Sequence, residues 1–167
     1  MVNTRYMMLV ASTAMLFASP ALAASPTAVS ATATTYAQIV DPLTITKDVD
    51  LSFGTLVKKP SLTATAVTVV LNQLDTVSCP VDLLCSGTPT SAKFTVTGTT
   101  GQTVQLTTVA SPMNGPAGAT LTFTPSAPVS IVAVSTGASF SFGGSIPVAS
   151  NTPSGIYTGD VTVTADY

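Results

Sequence analysis

A chain of 167 residues with 7 % charged positions, no histidine, no tryptophan and a formal net charge of −2 is short of the groups most chemistry uses. Weak acidity without a basic patch argues against nucleic acid or anionic lipid as a partner. After Arg5 the charges are all aspartate or lysine, and Thr, Ser, Ala, Val and Gly dominate, which favours pleated surfaces and turns over helices.

The N-terminus comes first. Arg5 supplies a positive start, Met7 to Ala18 is almost unbroken apolar sequence, Pro20 interrupts it, and Ala21-Leu22-Ala23 offers small residues to a signal peptidase. That pattern predicts a secretory signal over residues 1–23. A membrane span would need about 20 apolar residues, more than this run supplies. The expectation is export through the inner membrane to the periplasm, cell surface or medium, with no integral membrane anchor.

Residues 24–41 form an Ala/Ser/Thr-rich extension ahead of a domain over 42–167. Within it Val29, Ala31, Ala33, Ala37 and Ile39 fall on odd positions with Thr35, while Ser30, Thr32, Thr34, Tyr36 and Gln38 fall on even ones. Alternation of this kind predicts a strand with one small apolar face, and Asp41-Pro42 then marks a turn. Further strands are expected near 43–46, 51–57, 65–71, 92–98, 103–108, 119–124, 129–134, 139–148 and 156–167. About nine or ten short, mostly antiparallel strands separated by Gly, Pro, Asn and Asp predict a single all-β sandwich.

Cys79 and Cys85 remain after export. In an oxidising compartment two close cysteines pair, and a loop this small adds about 2 kcal/mol on the chain-entropy model. A redox pair would want a two-residue spacing and a helix N-terminus. The last expected strand alternates cleanly: Tyr157, Gly159, Val161, Val163, Ala165 and Tyr167 share one face, and Thr158, Asp160, Thr162, Thr164 and Asp166 the other. The first face should be buried, since a slip of one residue would bury two aspartates.

Catalytic chemistry has little to work with. General acid–base catalysis usually uses a group that titrates near neutrality, and neither His nor Glu is present. Asp48 and Asp50 are two apart, but Ser52 and Gly54 follow where a calcium loop would place further ligands, so the pair predicts a charged turn. Lys58-Lys59 before Pro60 predicts a solvated turn, and Gly143-Gly144 inside an apolar strand a bulge or bend. The sequence predicts no enzyme, no cofactor and no metal.

Three blocks carry a resemblance: Leu51-Ser52-Phe53-Gly54-Thr55-Leu56, Ala92-Lys93-Phe94-Thr95-Val96-Thr97-Gly98, and Gly155-Ile156-Tyr157-Thr158-Gly159. With the Leu43-Thr44-Ile45-Thr46 strand they resemble a bacterial exported family known as domain of unknown function 4402. That family is similar to spore-coat-U and fimbrial subunits, which implies an Ig-like sandwich. A second likeness is to chaperone–usher pilins, which carry a glycine and a near-terminal aromatic twelve residues apart on the last strand, as Gly155 and Tyr167 are spaced here. It implies that Val29 to Ile39 is a donor strand for a neighbouring copy and that Gly155, Tyr157, Val161, Val163 and Tyr167 belong to an assembly strand. It also implies copies of the chain and an export chaperone or usher as partners. Alanines in place of large donor residues, and a small disulfide loop, depart from the pilin pattern.

The leading expectation is therefore a fimbrial or surface-layer subunit assembled by strand addition. A monomeric secreted or periplasmic binding or adhesion module ranks second; its aromatic supply is thin, with Tyr36, Tyr157 and Tyr167 the only tyrosines after the signal. A small outer-membrane barrel ranks third, since spanning strands need about 9–11 residues and aromatic girdles.

Overall fold

The computed structural model describes residues 29–167, so the expected signal over 1–23 lies outside the described residues. The chain divides at Ala37/Gln38 into two units. In the first, Val29, Ala31, Ala33 and Ala37 are exposed and belong to no strand, and in the second Ile39 is likewise exposed and outside any strand. Here the sequence expectation of a strand is not met within the single chain. A face made mostly of alanines buries too little apolar area to offset the entropy of fixing the backbone without a partner.

The body is all-β, with thirteen strands among the described residues and one 3-10 turn at Pro116–Gly118. In chain order they are β1 (Thr44–Val49), β2 (Thr55–Lys58), β3 (Val67–Leu71), β4 (Val77–Ser78), β5 (Leu83–Ser86), β6 (Ala92–Thr97) and β7 (Thr103–Ala110). There follow β8 (Met113–Asn114), β9 (Thr120–Leu121), β10 (Thr124–Ser126), β11 (Ser130–Val132), β12 (Ala138–Val148) and β13 (Val161–Asp166). All the paired strands are antiparallel.

Strand β12 is the trunk of the larger sheet. Its first half pairs with β6, which pairs in turn with β1; its second half pairs with β3, and β3 with β4. Strand β10 lies along Gly143–Ser145. The opposing sheet has β7 at its centre, flanked by β11 and β13. Alternation sends Val96 of β6, Phe140, Phe142, Ile146 and Val148 of β12, Val69 and Leu71 of β3, and Val104 and Leu106 of β7 into one core. The Phe94 ring stacks on both Phe140 and Phe142 with centroids 5.7 Å apart, and Phe53 meets Phe123 edge-on at 6.0 Å. Gly143 and Gly144 are where β12 meets neighbouring chain most closely. A Cβ on Gly143 would run into the carbonyl oxygen of Leu71, and one on Gly144 into the ring of Phe123. The glycine pair answers a need for close approach.

The outer face of the larger sheet is laced with hydroxyls. Thr44 bonds Thr97, Thr95 bonds both Ser139 at 3.1 Å and the Asp48 carboxylate at 2.8 Å, and Ser141 donates to the Gln73 carbonyl at 3.0 Å. Cross-strand Thr and Ser pairs of this kind are a source of sheet stability in their own right.

A tight turn joins β3 to β4. The Asn72 side chain accepts the amides of Leu74 and Thr76, and Asp75 takes a left-handed conformation with φ of 59°, which aspartate tolerates better than most residues. The Asp75 carboxylate accepts the hydroxyl of Ser91 at 2.7 Å, its amide at 2.6 Å, and the Lys93 ammonium at 3.0 Å. The two bonds from fully buried Ser91, then Lys93, hold its pKa down from 3.8 to about 2. A carboxylate depressed in the folded state contributes stability that is present above its unfolded pKa and lost as pH falls through the folded one. Denaturant midpoints of the wild type should therefore fall between about pH 4 and pH 2. Asp75→Asn, which keeps the left-handed turn, should be less stable at pH 6 and show a shallower fall in acid. Equal acid sensitivity in the two proteins would remove this role.

Cys79 and Cys85 are bonded, with Cα atoms 6.0 Å apart. The bond closes the loop between β4 and β5, where Lys59 Nζ donates to the Val81 carbonyl at 2.8 Å. Reduction should cost about 2 kcal/mol at most. Mass spectrometry of the oxidised protein should show a two-hydrogen deficit on this peptide. Hydrogen exchange after reduction should rise around residues 79–85 while β7 and β12 stay protected.

Other sequence expectations also need correction. The last strand covers Val161–Asp166 rather than 156–167, because the chain changes partners ahead of it. Thr158 exchanges backbone hydrogen bonds with Asn114, and the Ser111 hydroxyl takes the Asp160 amide. Lys58 is also not a solvated turn residue: it ends β2, and its ammonium is held by the carbonyls of Ser150 at 3.0 Å and Thr152 at 2.6 Å.

Candidate functional site

Strands β1 and β13 are edges of their sheets, and a cleft lies between them. Strand β1 pairs only with β6, and β13 only with β7. They face each other across the gap between the sheets. Near one end, Tyr167 just past β13 touches Asp41 just before β1: the Tyr167 hydroxyl donates to the Asp41 carbonyl at 2.8 Å and accepts the Thr99 amide at 2.8 Å. Further along the edges separate. Lys47, Val49 and Leu51 line one side of a cavity of about 360 Å³, Tyr157 to Val161 the other, and Phe94, Phe142, Phe123 and Met113 the floor. A second cavity of about 700 Å³ adjoins it through Leu51, Met113 and Tyr157, and extends between residues 51–58 and 152–157.

Burial marks this cleft as unfinished core. The inward residues of central strands are sealed: Val96 and Val104 have no exposure and Phe142 has 1 %. Those of the two edges are not. Ile45, which faces Val96 in the β1–β6 ladder, is 37 % exposed, and Val161, Val163 and Ala165 of β13 are only half-buried.

The backbone of β13 is open on the same side. Ser111 donates its amide to the Asp160 carbonyl, and Asp160 lies just ahead of the strand. In an antiparallel ladder the bonding direction alternates from residue to residue. Residues 162, 164 and 166 therefore turn their amides and carbonyls toward β7, and those of Val161, Val163 and Ala165 turn outward. The edge of β1 differs. It carries a register shift between Lys47 and Val49 and an inward lysine, two devices that discourage pairing.

Of the expected site residues, Tyr157 and Val161 line the first cavity, Gly155 and Tyr157 the second, and Val163 follows along the same strand face. The face assigned to the last strand from sequence holds through Asp166. The pilin-like spacing does not hold in space, since both Gly155 and Tyr167 lie outside β13. Asp48 and Asp50 do not converge: the first sits in β1 against Thr95, and the second pairs with Lys47 at 2.6 Å. Among the described residues no group of three or more His, Cys, Asp or Glu is placed to hold a metal ion, and no helix is long and apolar enough to cross a membrane. Sequence reasoning missed Phe94, Phe142, Met113 and Leu51 as cleft residues. The signal for Leu51 and Phe94 lay in the three blocks, since residues 51–56, Ala92 with Phe94, and 155–159 all line the cleft; Phe142 and Met113 lie outside those blocks.

Residues 43–167 match the family model described as domain of unknown function (DUF4402). No curated protein and no solved structure matches the chain significantly.

Proposed function

The chain belongs to the DUF4402 family, whose description names no activity, and we propose from the geometry of the cleft that it is a non-catalytic surface-structural subunit assembling by β-strand addition. The observation that supports this most is the open edge of β13 beside a cleft with an apolar floor, where the inward residues of the edge strands are only partly buried. An added strand gains main-chain hydrogen bonds from such an edge, and its alternate side chains fill the cleft beneath. The donor is Val29 to Ile39 of a second copy. It has apolar groups on alternate positions and no strand partner of its own. Eleven extended residues reach roughly 36 Å, enough to run the length of a six-residue strand and on into the second cavity. Export is part of the reading, supported by the sequence of residues 1–23 and by the Cys79–Cys85 bond, which suits an oxidising compartment.

The experiment compares matched charge insertions in the full mature chain. Val161→Asp places a carboxylate in the cleft, and Thr162→Asp places one on the opposite face. The first should abolish concentration-dependent assembly in sedimentation runs, and the second should leave it intact. On the donor, Ile39→Asp should block assembly and Gln38→Asp should not. A wild-type protein that stays monomeric at high concentration would sink this reading and leave a monomeric surface module in its place.

A further inference from the structure

A chain that carries both an open cleft and a strand to fill it faces a problem of its own making. A tether of a few residues gives an effective concentration in the millimolar range, so self-filling, where geometry permits it, outruns filling by a neighbour. Assembly therefore needs something that keeps the extension out of its own cleft.

Three residues sit where such a device must be. Asp41 is the point at which the extension joins the domain. Its amide donates to the Thr99 hydroxyl at 2.6 Å, and its carbonyl accepts the Tyr167 hydroxyl. The Tyr167 hydroxyl also takes the Thr99 amide, so one phenol ties the end of β13 to both the start of β1 and the end of β6. Gly98 makes the room: a Cβ there would lie 2.6 Å from the Tyr167 hydroxyl and 2.7 Å from Leu43. The ties hold Asp41 alongside Thr99, beyond the Thr44–Thr97 pair that ends the β1–β6 ladder. The chain from 41 into β1 thus runs on past the sheet. No residue from Gln38 to Leu43 has a positive φ, the feature that the tight hairpin turns need.

We propose that Tyr167, Thr99 and Asp41 form a clasp that closes one end of the cleft and holds the extension outside it, so that the strand exchanges between copies. The inference rests on the strand-addition reading and adds direction to it. With the Tyr167 end shut, the incoming strand enters from the end flanked by Leu51 and Tyr157. To fill its own cleft, a chain would have to reverse within the few residues before Asp41.

The test uses the full mature chain in three forms: wild type, Tyr167→Phe and Thr99→Val. The phenylalanine keeps the ring and loses both phenol bonds; the valine keeps the shape and loses the Asp41 amide tie. Each form is followed by sedimentation and by hydrogen exchange at Val161, Val163 and Ala165. The wild type should assemble with those three amides protected. Both variants should raise the monomer share at fixed concentration by about tenfold, the scale set by losing one or two hydrogen bonds. In those monomers the three amides should be protected, because the extension now fills its own cleft. Variants with a wild-type monomer share, or with monomers whose β13 amides exchange freely, would overturn the clasp and leave strand addition standing. A wild type that never assembles, or assembles with those amides exchanging freely, would overturn strand addition and the clasp with it.

Discussion

Phe142→Ala should lower stability by about 3–5 kcal/mol, a large share of the roughly 5–15 kcal/mol that a domain of this size has to lose. The ring is 1 % exposed, stacks on Phe94 at 5.7 Å and forms the floor of the cleft from the trunk strand. Two costs add: the lost transfer energy of the ring, and a void that neighbours cannot fill, since both sheets are held by their ladders. Phe94→Ala removes a ring that is only partly buried, so its cost should be smaller, about 1–3 kcal/mol. Urea titrations of the two variants would read the difference. A smaller loss at Phe142 than at Phe94 would mean that the core is not centred on β12.

Gly143→Ala should be the costliest of the glycine-to-alanine substitutions. The new carbon would collide with the Leu71 carbonyl oxygen, a backbone atom in a paired strand that cannot rotate away. Either β3 shifts or β12 does, and each lies in the centre of the larger sheet. A loss above about 3 kcal/mol is expected, as for overpacking that strains backbone as well as side chains. Gly101→Ala is the control. It has a positive φ of 86° but open space around it, so it should cost only the left-handed strain of about 1–2 kcal/mol. Equal losses at the two glycines, measured by denaturant midpoints, would show that the close approach between β12 and β3 is absent.

The elements that sequence could reveal are those whose faces differ in kind. Val161, Val163 and Ala165 alternate with Thr162, Thr164 and Asp166, and the structure keeps that division. Strands β4, β5 and β8 escaped because two to four residues cannot display a period, and because Cys79-Pro80 and Asn114-Gly115 look like turns. The alternation of Val29 to Ile39 was legible, but alternation states which face would be apolar, not whether a partner strand is present. The cleft lies at a further remove. It depends on which strands are edges, and that follows from long-range pairing among β1, β6, β7 and β13. Phe94 and Phe142 come together only because β6 and β12 pair, nearly 50 residues apart in sequence. Asp75 was invisible for the same reason, its partners Ser91 and Lys93 lying across a turn and a sheet.

The hydroxyl lacing of the larger sheet bears on the medium in which the domain works. Among the described residues only two ion pairs occur, Lys47–Asp50 and Lys93–Asp75, while Thr44, Thr95, Thr97, Ser139 and Ser141 hold the outer face through neutral contacts or a single carboxylate. Salt screens charges within about 8–10 Å but does little to a hydroxyl pair. A surface built this way leaves counterions little to weaken, so the denaturant midpoint should change little between low and high salt.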